Sequence, residues 1–273
     1  MAFDELKARQ AAEWGSGSYE PIAQTLAPMH DEIVRRLEPA LGRRWLDIAT
    51  GTGGVAMRAA SAGASVTGLD LAPALIDTAR RLAREHGLEI RYEVGDAEAL
   101  PYPDSSFDVV SSAVGVIFAP SHASIARELA RVARPGSRLA LTAWRPEGGV
   151  GDFFERMAPF REATAGETAS PFDWGEKEYV EGLLGADFEL EFDELDAPYT
   201  AESGEAAWQE LSSSYGPTKT LAESLSPERR EELRRSVVSF YEELRANGGV
   251  HHSRGYLLIL GTRIRESPLA DPA

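Results

Sequence analysis

The sequence predicts an open α/β fold, a mostly parallel sheet with helices on both faces, on the strength of three observations. Short β-branched or apolar runs alternate with helical stretches between residues 43 and 144, the pattern produced by parallel strands and crossover helices. A glycine-rich turn, Gly51-Thr52-Gly53-Gly54-Val55-Ala56, joins the first strand of that series to its first helix. Two later strands end on Asp70 and Asp96, and in open α/β sheets ligands bind outside such carboxyl ends.

The elements follow in order. Residues 3 to 14 and 20 to 38 read as two helices of an N-terminal cover over 1–40, the second amphipathic through Ile22, Leu26, Met29, Ile33, Val34 and Leu37. Between them Trp14-Gly15-Ser16-Gly17-Ser18-Tyr19 has mobile glycines with an aromatic at each end, which suits either a lid or a linker packed on the core. Residues 41–145 form the binding core. Within it, Arg43 to Ile48 is a buried strand and Val55 to Ala62 a helix, Ala64 to Asp70 and Ile90 to Val94 are strands, and Pro73 marks a helix start. Phe107 to Ala113, almost continuously apolar, belongs at the sheet centre and opens into Val114 to His122. Ile125 to Ala133 is a helix, Pro135-Gly136 a turn and Ser137 to Trp144 a strand.

Residues 146–254 read as cap insertions carrying a sixth strand at Phe188 to Tyr199, with helices at 206–211 and 227–246, the latter opened by Ser226-Pro227-Glu228. Phe153, Phe154, Phe160, Phe172 and Trp174 lie in its first part and fit an apolar acceptor pocket or, equally, the core of a small cap. Residues 255–273 supply the last strand, Gly255 to Thr262, and a tail.

Two ligand classes use a glycine-rich strand-to-helix corner. Gly51 to Ala56 fits the G-x-G-x-x-A spelling by which a pyrophosphate meets a helix N-terminus. Asp47, just before the loop, repels a pyrophosphate and attracts an ammonium or sulfonium. Asp70 lies 70 − 47 = 23 positions further on, a spacing suited to holding a ribose, while Asp96 can accept from an adenine amino group with the backbone of Ala97 at the ring edge. Taken singly, Asp70 and Asp96 also fit simple helix caps.

The ordered series LDIATGTGGVA, GLDLAP, GDAEALPYPDSSFDVV and RVARPGSRLALTAW resembles class I S-adenosylmethionine-dependent methyltransferases, in particular the small-molecule branch with the quinone-biosynthesis enzymes, over roughly residues 40 to 145. The resemblance implies a Rossmann-like, mostly parallel seven-stranded sheet and S-adenosylmethionine as cofactor, leaving as S-adenosylhomocysteine. It implies a cofactor site at Asp47, Ala49, Gly51 and Gly53, at Asp70 and Leu71, and at Asp96 and Ala97. Ala113 and Val114 then lie near the methyl group, with Trp14 and Tyr19 closing over. Where the family often has the first loop glycine, this chain has Ala49.

Composition sets limits on partners. The 273 residues carry 28 basic against 44 acidic side chains, a net charge of −16, which disfavours a nucleic-acid partner. There are no cysteines, hence no thiol catalysis or thiolate metal site, and methyl transfer itself needs no metal. The expected partner is a small-molecule acceptor, with no nucleic acid and no membrane; the expected location is the cytoplasm, and oligomeric state is left open. O-methylation is favoured over C- or N-methylation, and an acidic acceptor gives a use for a histidine base. His122, just past the central strand, is the leading candidate; His251 and His252 follow, and His30 and His86 read as helix-surface residues. The rival readings are an NAD-dependent oxidoreductase and a noncatalytic S-adenosylmethionine-binding protein.

Overall fold

The computed structural model describes residues 3–161 and 169–265; the end of the tail expected after the last strand, residues 266–273, lies outside them. Along the chain run α1 (Asp4–Trp14), α2 (Glu20–Thr25), α3 (Ala27–Leu37), β1 (Arg44–Ile48), α4 (Gly54–Ser61), β2 (Ser65–Asp70), α5 (Pro73–Glu85), β3 (Arg91–Val94), β4 (Phe107–Ala113), α6 (His122–Val132), β5 (Ala133–Trp144), α7 (Gly149–Met157), α8 (Lys177–Leu184), β6 (Phe188–Asp196), β7 (Tyr199–Ala201), α9 (Gly204–Ser214), α10 (Gly216–Ser224), α11 (Pro227–Glu243), β8 (Arg245–Ala246), β9 (Gly249–His252) and β10 (Gly255–Arg263).

Seven strands make one sheet in the order β3-β2-β1-β4-β5-β10-β6. The first five pair in parallel, and β10 runs antiparallel to both its neighbours. The central strands are apolar on both sides because helices cover both faces: β1 is buried from Trp45 to Ile48 and β10 from Tyr256 to Gly261. The strand order reverses between β1 and β4, so their carboxyl ends part into a crevice, the place where open α/β sheets bind ligands.

A second, smaller core lies in the cap, where α7, α9 and α11 close on a three-stranded sheet, β7-β9-β8, through Phe153, Trp208, Val237, Phe240 and Tyr241. Several expected boundaries move. Pro28 starts a new helix, so the cover has three helices. Ser121 accepts from the Ser124 amide and starts α6 at His122, three residues earlier than periodicity suggests. Strand β5 runs through Pro135-Gly136, where a turn was expected; the β4–β5 register shift between Phe107 and Val109 absorbs the irregularity. The sixth strand stops at Asp196, and Tyr199 belongs to the cap sheet.

Candidate active site

The loop after β1 turns sharply, with Ala49 at φ 52°, Gly51 at 57° and Gly53 at 87°. Ala49 thus takes the left-handed conformation that glycine adopts at no steric cost, which explains why a glycine suits that position. Asp47 fastens the loop from beneath. Its carboxylate accepts from Thr50 Oγ1 at 2.6 Å and Ser111 Oγ at 2.7 Å, and Ser111 accepts in turn from Trp45 Nε1 at 2.8 Å. Only 2% exposed, Asp47 does not line the cavity above the loop, which corrects the expectation of direct contact with a ligand cation. Burial outweighs its hydrogen bonds and pushes its carboxyl up to about 6.

Gly53 also stays out of the cavity lining: a Cβ there would overlap the Tyr92 hydroxyl, so its absence lets Tyr92 fill the space beneath the loop. A Cβ on Gly54 would strike the His30 ring. His30, expected on a helix surface, is 7% exposed and lines the cavity, with burial holding its imidazole down at about 4. Position 30 follows Leu26 by four and precedes Leu37 by seven, so the apolar period of α3 carried the signal for its burial.

Asp70 closes the next side. Its Oδ2 accepts from the Gly51 amide at 2.8 Å and its Oδ1 from the Ala72 amide at 2.9 Å. The N-cap of α5 is Ala72, without a side-chain cap, so Asp70 laces two loops together while facing the cavity. Burial raises its carboxyl above the ordinary range. Asp96 accepts from the Glu98 amide at 2.9 Å and from Lys7 Nζ at 2.7 Å, and Lys7 also contacts Glu98. Gln10 donates to the Phe118 carbonyl at 2.9 Å, and Trp14 stacks obliquely on Phe118. Helix α1 therefore roofs the site with Lys7 and Gln10, residues without a motif to announce them.

The resulting cavity, about 140 Å³, is lined by Ala49, Gly51, Asp70, Leu71, Asp96 and Ala97, by Ala113 and Val114 at the end of β4, and by Trp14 and Tyr19 from the cover. Its chemistry separates the two ligand classes. A pyrophosphate at this loop needs the Gly51 amide, but that donor is spent on Asp70, and among the described lining residues Lys7 is the one Lys or Arg, already held by Asp96 and Glu98. Carboxylates at the two strand ends suit hydroxyls, an amine and a cation. These residues fit S-adenosylmethionine.

Beside it lies a second cavity of about 80 Å³ that shares Trp14, Tyr19, Leu26, Val114 and Phe118 with the first. Val114, at the common wall, is a β-branched residue held at φ 43°, a conformation that persists only where the surroundings enforce it. The rest of the chamber is mainly apolar and aromatic, including Trp144, Phe153, Phe154 and Tyr241, with His252 and Arg254 among its polar lining residues.

Residues 46–141 match the model of a methyltransferase domain. A demethylmenaquinone methyltransferase of Thermus thermophilus is 36% identical over 159 residues, covering 50% of this chain and 72% of its own. The chain belongs to the S-adenosylmethionine-dependent methyltransferase family. Its cofactor is S-adenosylmethionine. An uncharacterized protein of Mycobacterium tuberculosis is 38% identical over 181 residues, 66% of each chain, so the match spans slightly less than two thirds of that relative's length. The YcgJ protein of Bacillus subtilis shares the fold, with a TM-score of 0.61 at 21% identity over 87% of this chain and 98% of its own.

Two expectations for this methyltransferase are corrected by its geometry. His122 lines neither cavity. It is 3% exposed, with Nε2 donating to the Ile117 carbonyl at 3.1 Å and Nδ1 accepting from the Tyr179 hydroxyl at 2.9 Å, so both ring nitrogens are engaged in holding the loop after β4. Trp174 is 0% exposed in the main core, its ring 5.4 Å from that of His122, and lies away from the aromatic chamber. Phe153 and Phe154 do line the chamber, whereas Phe172 packs on the main core and Phe160 on the cap core. His251 and His86 are exposed, and His252 is the histidine that enters the chamber.

Proposed function

We propose that this protein moves the methyl group of S-adenosylmethionine to a small, largely apolar acceptor seated in the aromatic chamber, with oxygen the favoured acceptor atom. The observation that carries the reading is the wall common to the two cavities, at Val114, Phe118, Trp14, Tyr19 and Leu26, which sets an apolar compartment directly beside the cofactor compartment. Bound S-adenosylmethionine supplies a methyl group already activated by its sulfonium. The chain's task is therefore to hold the acceptor in line and keep water out. Asp70 would accept from the ribose hydroxyls and Asp96 from the adenine amine, while Trp14 and Tyr19 seal both compartments from the cover side. The relative named for demethylmenaquinone supports a ring-bearing acceptor. The net charge of −16 favours a small molecule over nucleic acid, and no helix among the described residues is long and apolar enough to cross a membrane; the cytoplasm is the location this reading assumes.

The test combines binding and turnover. S-adenosylhomocysteine is expected to raise the melting temperature while NAD does not, because a ligand of the folded state alone stabilises it. Pooled metabolites incubated with radiolabelled methyl donor are expected to yield a labelled apolar product. Stabilisation by S-adenosylhomocysteine with no labelled product from any pool would favour a noncatalytic binding protein.

A further inference from the structure

We propose that the acceptor is a small ring bearing one acidic hydroxyl, a phenol or an enol, and that the chamber binds it as its anion, with Arg254 holding the charge and His252 taking the proton. This inference rests on the reading of the aromatic chamber as the acceptor compartment.

Arg254 sits in the two-residue connection between β9 and β10. Its Nε donates to the Ala197 carbonyl at 2.8 Å and its Nη2 to the Thr25 carbonyl at 3.0 Å, while the guanidinium lies 5.4 Å from the Tyr199 ring centroid and 5.8 Å from that of Trp144. Two carbonyls and two ring faces position this cation without neutralising it. Among the described residues no carboxylate lies within ion-pair distance of it, whereas Arg145, just past the end of β5, is paired with Glu194 and Glu147 and Arg263, at the end of β10, with Asp187. Among the described residues Nη1 has no acceptor. A cation in an apolar chamber with no counter-charge favours an anionic ligand.

His252 supplies the second, independent observation. It is 3% exposed and lines the chamber, and among the described residues no well-formed hydrogen bond reaches Nδ1 or Nε2, the Gly149 backbone making only a weak approach to the ring. Its ring is fixed by edge contacts with Phe240 at 5.4 Å and Tyr241 at 5.5 Å, and by the β7–β9 pairing that sets it opposite Tyr199. Buried polar side chains are almost always satisfied, so a rigid imidazole with at least one nitrogen free points to a ligand that satisfies it. The groups facing it are Asp152 and the Gly149 backbone from α7, Asp196 at the end of β6, Tyr241 from α11, Tyr199 from β7 and Arg254 beside it. The Tyr199 hydroxyl is committed to Glu210 at 2.6 Å. Burial, with Arg254 adding to it, lowers the imidazole below its ordinary range, which favours the neutral form that can accept a proton.

The two residues together select the ligand class. A carboxylate arrives already ionised and needs Arg254 alone; a neutral ring needs neither. A phenol or enol uses both: its O–H bond breaks with the electron pair staying on oxygen, the proton bonds to a free ring nitrogen of His252, and the oxyanion pairs with Arg254, so total charge is unchanged.

The probe is 4-nitrophenol, whose anion is yellow and whose neutral form is not, added to the full chain with and without S-adenosylhomocysteine at a pH where the free probe is mostly protonated. Binding is expected to bring up the phenolate band, with the bound probe ionising at a pH lower by about one unit or more, a tenfold or greater rise in the anion-to-neutral ratio. His252→Phe, which keeps the ring packing, is expected to bind the probe without that shift. Arg254→Met is expected to lose at least about tenfold in affinity and Arg254→Lys to retain part of it; melting curves show whether each variant is folded, and His252→Phe decides the question if Arg254→Met is not. Binding without a phenolate band, equal behaviour of the wild type, His252→Phe and Arg254→Met, or tighter binding of benzoate than of nitrophenol would overturn the proposal. Because this readout needs no turnover, a phenolate band with no methyl transfer to any acceptor would count against the proposed reaction alone, and methyl transfer with no phenolate band against this inference alone.

Discussion

Asp70 carries two tasks on one carboxylate, since the oxygens that face the cavity also accept from Gly51 and Ala72. Asparagine can keep one amide but cannot offer a charged acceptor to a ribose. Asp70→Asn is therefore expected to weaken S-adenosylhomocysteine binding by about 1 to 3 kcal/mol, the worth of charge-assisted hydrogen bonds, together with a modest loss of melting temperature from the loosened loop. Titration calorimetry on the folded variant reads this directly, and an unchanged affinity would leave Asp70 a purely structural brace. At this scale the sequence was most informative where chemistry and spacing coincide: Asp70, Asp96, Ala97, Ala49 and Gly51 all reach the cavity. It misled where a residue of the right type serves the loop from below. Asp47 and Gly53 sit at motif positions but turn toward Ser111 and Tyr92, and which side of a loop a side chain takes is a tertiary fact. His122 failed for the same reason, its chain position being right and its ring turned to Ile117 and Tyr179.

At the scale of elements, the roof over the cavity at the strand ends is α1, which buries none of its residues and has little amphipathic character. Propensity alone does not hold so short a helix; specific ties do, namely Lys7 to Asp96 and Glu98, Gln10 to Phe118, and the Trp14 ring. Lys7→Met keeps the length of the side chain and removes the charge. It is expected to speed amide exchange across residues 4–14 and to weaken S-adenosylhomocysteine binding by about 1 kcal/mol, roughly fivefold, in the range of a partly exposed ion pair. Unchanged exchange would mean that Gln10 and Trp14 hold the roof unaided. The long periodic elements of the core were legible because each presents one face or two faces to a single layer. The cap was less so. Asn247-Gly248, both at positive φ, is a two-residue hairpin turn that links β8 to β9, where the sequence reading has only a helix up to 246 and no strand pair; Gly216-Pro217 looks like a break yet opens α10, proline being welcome in a first turn.

For the whole molecule, two buried ionisable groups on opposite sides of the same loop shape the response to acid. His30 titrates at about 4 in the fold, below its ordinary 6.5, so between those values the folded chain binds fewer protons than the unfolded one and stability is lost as pH falls. Asp47 titrates at about 6, above its ordinary 3.8, so across nearly the same window the folded chain binds more protons and stability is gained as pH falls. The two contributions oppose each other, each of order a few kcal/mol, and the wild type shows only their difference on top of the surface carboxylates. Separating them needs the variants. Relative to wild type, His30→Asn is expected to gain melting temperature as pH is lowered from about 6.5 to 4, because the unfavourable protonation of the buried ring is gone. Asp47→Asn, which keeps an acceptor and a donor for Thr50 and Ser111, is expected to lose melting temperature relative to wild type over the same range, because it forgoes the favourable uptake of a proton. Melting curves of the three proteins across that range decide it: opposite slopes support two buried groups with displaced pKa values, and three parallel curves would show that both residues titrate as they do in the unfolded chain.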